Sequence, residues 1–174
     1  ACLEWLKQCP QMSSFEKSEI YSYIAMCCFN LNQSEEGMKY IDVALNLEPG
    51  FRGAILQKGM LHVQLGESNE ALKLFFKVMD ISPDDEQSEI IYNIANSYFF
   101  LRMYPETIEW CQKILQTYPE EQMEALYLIA CSYYNLSDMD SCMKYLAFAF
   151  QRSNYCFEEE YLNDKRFSSW WFSC

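Results

Sequence analysis

The chain is poor in the residues that interrupt or cross-link a polypeptide. Its 174 residues include five glycines, five prolines and one histidine. No extended stretch alternates apolar and polar residues as a half-buried strand does, and no segment is predicted to span a membrane. The nine cysteines are an odd number without a Cys-x-x-Cys pair, which argues against a disulfide scaffold. These absences favour an all-helical protein in a reducing compartment.

Positive charge is also scarce, because the chain has 13 Lys and Arg residues but 25 Asp and Glu residues. Its formal net charge is −12. A field of this sign repels phosphate, so we expect no nucleic-acid ligand and little affinity for anionic membranes. The acids form short groups at Glu35-Glu36, Asp84-Asp85-Glu86, Glu120-Glu121 and Glu158-Glu159-Glu160. The simplest interpretation is that these acidic groups lie at helix starts and in solvated turns. The alternative is that they form an acidic rim whose charge attracts a basic partner.

A motif recurs along the chain with a period close to 34 residues. Its fixed point is a leucine, and the four copies are Leu31, Leu65, Leu101 and Leu136. A small residue lies six positions before each leucine, at Ala25, Gly59, Ala95 and Ala130. Another mostly small one lies six positions after, at Gly37, Ala71, Thr107 and Cys142. This period is typical of stacked helix pairs, and we expect the leucines to lie in the core.

Each unit is predicted to contain two antiparallel helices. In the third unit, apolar residues recur at helical spacing over 88–101 and again after Pro105, which suits the first turn of a helix. Ser34 is expected to cap the second helix of the first unit. Where paired helices approach within about 8–10 Å, only small side chains fit, so small residues of the two helices should face each other.

The small residue, aromatic, leucine and second small residue at these offsets, with a proline eighteen residues after the first three leucines, resemble the tetratricopeptide repeat (TPR) family. The aromatic three residues before the leucine is present as Tyr98 and Tyr133. Cys28 and His62 replace it in the first two units, Asn154 replaces the last proline, and the family's usual tryptophan is absent. The resemblance covers about residues 18–156 and implies repeats at 18–51, 52–87, 88–122 and 123–156.

The resemblance implies an all-α, right-handed superhelical solenoid of antiparallel helix pairs with a C-terminal capping helix. TPR proteins usually bind extended peptides or short helices in a concave groove, which the first helix of each repeat lines. By repeat offset, the predicted partner-binding residues are Tyr23, Met26, Gln57, Met60, Tyr92, Asn93, Asn96, Tyr127, Cys131 and Tyr134. Packing of some of these residues against the next repeat is the alternative.

Catalysis is not expected. The sequence has no Gly-rich phosphate loop, no His-Glu-x-x-His pair and no Gly-x-Ser-x-Gly elbow. His62 falls on a core-facing offset, and His62 with Cys28 one repeat away provides too few ligands for a metal site. We therefore predict a protein that is not an enzyme and has no cofactor and no metal.

The family's carboxylate-binding subclass holds a C-terminal carboxylate with Lys, Arg and Asn side chains. The corresponding positions here are Ser22, Glu89 and Asn93, of which none is basic. Acidic C-terminal peptides are therefore not expected to bind well.

The two ends of the chain lie outside the four repeats. Residues 1–17 are predicted to be the end of a preceding repeat helix and a linker, so the array is expected to continue upstream. Residues 157–174 are predicted to form the C-terminal cap. Their Trp170, Trp171 and Phe172 either pack on the last repeat or associate with a second copy, giving a homodimer.

The functional hypothesis is a non-catalytic protein–protein interaction scaffold that binds a peptide or helix. A self-association module acting through the aromatic C-terminal end, and the sensor or adaptor portion of a larger TPR protein, are the alternatives. Because the cysteines fall on core positions, a cytoplasmic location is expected. The Ala1-Cys2 start leaves an exported or lipid-anchored protein, with its leader removed, as the alternative.

Overall fold

The structure of the protein is a computed structural model that describes residues 11–83, 87–118 and 122–152, without the side chains of Gln122, Gln151 and Arg152. Within these ranges the chain is helical apart from its turns, which confirms the all-α prediction. The helices are α1 (Ser14–Asn30), α2 (Ser34–Leu47), α3 (Arg52–Gln64), α4 (Ser68–Asp80), α5 (Ser88–Phe100), α6 (Tyr104–Thr117), α7 (Gln122–Asn135) and α8 (Met139–Arg152). Residues 1–10 of the predicted N-terminal segment 1–17, and all of the predicted cap 157–174, lie outside the described residues. Residues 14–17 belong to α1 and not to a linker.

The chain divides into two compact units, Ala1–Asp84 and Asp85–Cys174. The N-terminal unit contains α1–α4, and the C-terminal unit contains α5–α8. In each unit, a short turn folds one helix back against the next, as between α1 and α2 or between α7 and α8. We call α1, α3, α5 and α7 the A helices and the others the B helices. The two A helices within a unit also contact each other.

The four turns from an A helix to its B helix share one backbone geometry. In the first, the Gln33 N–H donates to the carbonyl of Cys28 at 2.8 Å, and the Asn32 N–H donates to the carbonyl of Phe29 at 3.0 Å. This pair of bonds is the Schellman motif, in which a residue of left-handed conformation ends the helix and satisfies its last carbonyls. The left-handed residues are Asn32 (φ 55°), Gly66 (φ 79°), Arg102 (φ 60°) and Ser137 (φ 62°).

The prediction that the repeated leucines lie in the core is wrong. Leu31 is 67% exposed, Leu65 38% and Leu136 45%, while Leu101 is half-buried. Each leucine immediately follows the last residue of an A helix and precedes the left-handed residue of the turn. The leucines therefore mark the turns, where the chain reverses at the protein surface.

The helix starts follow the sequence signals in part. At α1, the backbone N–H of Ser13 donates to Glu16 Oε2 at 2.7 Å, and the Glu16 N–H donates to the Ser13 hydroxyl at 3.2 Å, forming a capping box. The Glu16 carboxylate accepts from the Ser13 backbone N–H and also from the Ser13 hydroxyl, and these two bonds hold the pKa of the Glu16 carboxyl below its ordinary value. Pro105 lies in the first turn of α6, as predicted. Ser34 is not a cap, because it is already helical and its buried hydroxyl donates to Gln64.

Small residues are buried where paired helices meet. Ala25 is fully buried, and a Cβ atom added at Gly37 would lie 3.2 Å from the Ala25 carbonyl oxygen, so these residues face each other as predicted. At Gly59, an added Cβ would lie 2.3 Å from Cε1 of Phe75. Phe75 is fully buried, so its ring fills the space that the glycine leaves. The sequence pattern predicted this close approach, and Ala71, the small residue assigned to the other helix, is fully buried one helical turn before Phe75.

Several cysteines are packing residues, as their repeat positions indicate. Cys28, Cys111 and Cys142 are buried, and all three are free thiols. Burial raises the pKa of Cys111 to about 12, which keeps its thiol protonated and unreactive near neutral pH.

Replacing Gly59 by alanine should lower the free energy of unfolding by about 1–3 kcal/mol, because the new methyl group overlaps the buried Phe75 ring. This loss should outweigh the gain of about 1 kcal/mol in helix propensity. Urea unfolding followed by circular dichroism measures the change. Gly50→Ala is the matched control, since no atom lies within 4 Å of its added Cβ. Equal stability of the two variants would contradict the packing described at Gly59.

Replacing Arg102 by glycine should raise the free energy of unfolding by about 0.5–1 kcal/mol, because a left-handed backbone is strained for any residue with a Cβ. Gly66→Ala, at the equivalent turn, should lower it by about 1–2 kcal/mol. Thermal and urea unfolding of both variants would test the shared turn geometry. If both substitutions left stability unchanged, the left-handed assignment would be wrong.

Candidate functional site

The predicted partner-binding residues all lie on A helices. Those of the N-terminal unit are on α1 and α3, and those of the C-terminal unit are on α5 and α7. Each A helix is covered on one side by its B helix, so a partner can reach only the remaining face of each A helix.

In the N-terminal unit, this face presents large apolar and aromatic side chains. Tyr23 is 62% exposed and Met26 40% exposed, while Met60 is half-buried on the neighbouring helix α3. Between α1 and α3 lies a small apolar cavity of about 20 Å³, lined by Ala25, Met26, Phe29, Gln57, Met60 and Leu61. Three of the predicted residues, Met26, Gln57 and Met60, therefore surround one depression, and Tyr23 lies one helical turn away along α1.

Polar side chains fix the spacing of α1 and α3 on this face. The buried hydroxyl of Ser22 donates to Gln57 Oε1 at 2.6 Å. At the far end of α3, the Gln64 side-chain amide donates to the Phe29 carbonyl at 2.9 Å and to Asn32 Oδ1 at 3.1 Å. Gln57 was predicted as a partner contact, and this bond gives it a second role in joining two A helices.

In the C-terminal unit, the corresponding face carries tyrosine and asparagine side chains. Tyr92, Asn96 and Tyr127 are half-buried, and Tyr134 is 39% exposed. The half-buried Asn93 donates from Nδ2 to the Glu89 carbonyl of its own helix at 3.0 Å. An amide has two N–H donors and an acceptor oxygen, and this bond uses one of the donors.

Cys131 does not contribute to this face. The repeat offset places it there, but its side chain is only 3% exposed. Helix α7 contacts α5, α6 and α8, and a wide arc of it is buried, including Ala125, Leu128 and Ser132. A repeat offset gives the position of a residue around its helix, and it does not state how fully the neighbouring helices cover that position.

The turn edge of the C-terminal unit exposes apolar side chains that are not among the predicted partner-binding residues. Phe100 is 59% exposed and Leu136 45%. The Tyr104 hydroxyl links neighbouring turns by donating to Asn135 Oδ1 at 3.1 Å, and its ring lies 5.6 Å from that of Phe99. Leu136 was not predicted to be exposed because the leucine position was assigned to the core.

Charge is segregated within the C-terminal unit. Helices α5 and α7 contain no lysine or arginine, and each carries an exposed glutamate in its first turn, Glu89 and Glu124. The described cationic side chains of this unit lie elsewhere. Lys113 on α6 is 3.5 Å from Glu109 and 3.6 Å from the centre of the Trp110 ring. Lys144 is on α8, and Arg102 is in a turn.

His62 lies at the end of α3 and not deep in the core. Its ring is largely buried, with 17% of the side chain exposed, and Nδ1 is 2.6 Å from Glu67 Oε2 across the turn to α4. No group of three or more potential metal ligands exists among residues 11–83, 87–118 and 122–152. Within the same ranges, no helix is both long and apolar enough to cross a membrane.

A larger, polar depression of about 480 Å³ lies at the turn between α1 and α2, away from the predicted residues. Glu35, Glu36 and Lys39 form part of its wall together with Gln64 and Leu65. Lys39 pairs with Glu36 at 2.7 Å, and this hydrogen bond lowers the pKa of the Glu36 carboxyl and raises that of the Lys39 ammonium. The depression contains an ordinary surface ion pair, and its described side chains do not pair a nucleophile with a base.

Comparison with known proteins identifies the repeat. Family models described as tetratricopeptide repeat match residues 53–85 and 124–147. No curated protein matches the sequence.

Several solved structures are similar to this chain. "MamA 41-end from Desulfovibrio magneticus RS-1" is 18% identical with a TM-score of 0.67, over 79% of this chain and 77% of that one. YrrB, described as "a TPR protein with an unusual peptide-binding site", is 18% identical with a TM-score of 0.63, over 87% and 75%. PilW, described as a "widely conserved type IV pilus biogenesis factor", is 18% identical with a TM-score of 0.67, over 88% and 66%. At this identity the likeness shows the fold, and it confirms the predicted solenoid of helix pairs.

Proposed function

We propose that this chain, which is a tetratricopeptide-repeat protein, is a non-catalytic interaction scaffold that binds a peptide or short helix of a partner protein on the open faces of its A helices. The proposal keeps the predicted residues on α1, α3, α5 and α7 and omits Cys131, whose side chain is buried.

One observation carries the proposal. Tyr23 and Met26 are exposed on α1 beside an apolar cavity that Met60 and Phe29 also line. Exposed aromatic and methionine side chains grouped around a depression are typical of binding surfaces, because Tyr contributes apolar area with a wet hydroxyl and Met adapts its shape. A partner's aliphatic or aromatic side chain would cover this group.

The C-terminal unit supports the same proposal with a different chemistry. Its Asn93 and Asn96 amides can donate to and accept from a peptide backbone, and the rings of Tyr92 and Tyr127 can pack on partner side chains. A similar solved structure, YrrB, is described as having a peptide-binding site, which makes peptide binding the first activity to test here.

A second candidate is self-association through Trp170, Trp171 and Phe172. Three consecutive aromatic residues near the end of an acidic chain favour it. These residues lie outside the described part of the chain, so the hypothesis stands on the sequence alone.

Replacing Tyr23 by alanine and Met26 by serine together should weaken partner binding at least tenfold, because truncating exposed anchor side chains removes their buried contact area. The partner is first captured with the wild-type chain from its native source, and the dissociation constants are then compared by calorimetry. Val43→Ser is the matched control, since Val43 is exposed on the B helix α2 of the same unit.

A second pair of substitutions, Asn93→Ala with Asn96→Ala, should also weaken binding while leaving the helical content unchanged. Recovery of the same partner with the same affinity by both double variants would contradict binding on the A helices. A loss caused by Val43→Ser alone would assign the partner to the B helices.

Replacing Trp170, Trp171 and Phe172 by alanine tests the second candidate. If these residues pair two copies, sedimentation velocity should find a dimer that dissociates on dilution, and the triple variant should remain a monomer. A wild-type chain that is monomeric at micromolar concentration would exclude this homodimer.

A further inference from the structure

We infer that the A-helix face of the C-terminal unit selects partner segments in which Lys or Arg lies beside apolar residues. The inference rests on the proposed function and adds the charge of the partner to it. The face is formed by α5 and α7, which contact each other, and its relevant side chains are Glu89, Tyr92, Asn96, Glu124 and Tyr127.

The first observation is a repeated pair of a carboxylate and an aromatic ring. Tyr92 follows Glu89 by three residues on α5, and Tyr127 follows Glu124 by three residues on α7. Residues three apart on a helix are neighbours on one face. Each A helix of this unit therefore presents an exposed carboxylate next to a half-buried tyrosine, one helical turn apart.

The second observation is the absence of cations from this face among the described side chains. Helices α5 and α7 contain no Lys or Arg, whereas Lys113 and Lys144 lie on the B helices. In the N-terminal unit, α1 contains Lys17 and α3 contains Arg52 and Lys58, and Lys58 pairs with Asp42 of the B helix α2 at 2.6 Å. In the C-terminal unit, the only charged side chains of α5 and α7 are carboxylates.

A carboxylate beside an aromatic ring is suited to a cationic side chain. The carboxylate attracts the charge, and the ring face offers a cation–π contact to guanidinium or ammonium together with packing for the aliphatic stem. Acidic partner segments would place like charges together and be rejected. The half-buried tyrosines and asparagines would provide contact area for a basic or an acidic segment alike. The two glutamates would then favour the basic segment over the acidic one.

A simpler role for the two glutamates is to stabilise the starts of α5 and α7, because carboxylates in the first turn complement the helix dipole. This role predicts a change in stability and no preference among ligands. The test must therefore measure preference, and it needs a control variant with the same charge change at another helix start.

The probe is a random peptide library displayed on phage, selected on the full-length chain. Peptides that depend on the site are those that bind the wild-type chain but not the double variant Tyr92→Ala with Tyr127→Ala. Among them, Lys and Arg should exceed Asp and Glu. Selection on Glu89→Gln with Glu124→Gln should lose this excess. Glu106→Gln with Asp140→Asn, which neutralise the first-turn carboxylates of the B helices α6 and α8, should retain it.

The same variants give a quantitative readout with one selected peptide made synthetically. Glu89→Gln with Glu124→Gln should weaken its binding about three- to tenfold at low salt, as expected for two exposed charge pairs. The difference should disappear near 1 M salt, where the Debye length is about 3 Å.

The outcomes separate this inference from the proposed function. Peptides that depend on Tyr92 and Tyr127 but show no Lys or Arg excess, or keep the excess without Glu89 and Glu124, would overturn the charge inference alone. Failure to select any peptide dependent on Tyr92 and Tyr127 would count against the proposed function in this unit, and the inference would fall with it.

Discussion

The open faces of the A helices depend on how closely each A helix packs against its B helix. At Gly37 and Gly59 the approach is so close that a methyl group would meet the Ala25 backbone or the Phe75 ring. The left-handed turns at Asn32, Gly66, Arg102 and Ser137 return the chain at a fixed position after each A helix. Together these two constraints bury one side of every A helix and leave another side open. Tyr23 and Met26 are exposed on the open side and Tyr92 is half-buried, so the packing of the helix pairs decides which residues can contact a partner.

The period of about 34 residues predicted the fold because it is the spacing at which the backbone turns from an A helix to its B helix. The four leucines are spaced like the four left-handed residues that follow them, and both recur because the chain turns once per repeat. The same pattern led to the wrong prediction that the leucines are buried. A leucine that follows the last residue of an A helix lies at the surface, as Leu31 does. Ser34 shows a similar limit. Its side chain reaches Gln64, thirty residues away, and a local rule for helix caps has no information about that partner.

The candidate site was predicted in outline and not in detail. Repeat offsets placed Tyr23, Met26 and Met60 on the open faces, where the structure has them exposed or half-buried. They could not predict that Cys131 is covered, because its burial depends on how closely α5, α6 and α8 pack around α7. They also could not predict the bond from Ser22 to Gln57, which connects residues one repeat apart through side-chain geometry alone. Tertiary contacts of this kind depend on the relative placement of whole helices, which the spacing of residues along one helix does not contain.

Site-specific photo-crosslinking tests the central claim, that partners bind to the A helices, most directly. A photoreactive aromatic residue would replace, one at a time, Tyr23 and Tyr92 on A helices and Val43 and Phe148 on B helices. Val43 and Phe148 are exposed, so accessibility alone does not favour the A-helix positions over them. Covalent adducts with the partner should form at Tyr23 and Tyr92 and not at Val43 or Phe148. Adducts at Val43 and Phe148, with none at Tyr23 and Tyr92, would contradict the claim.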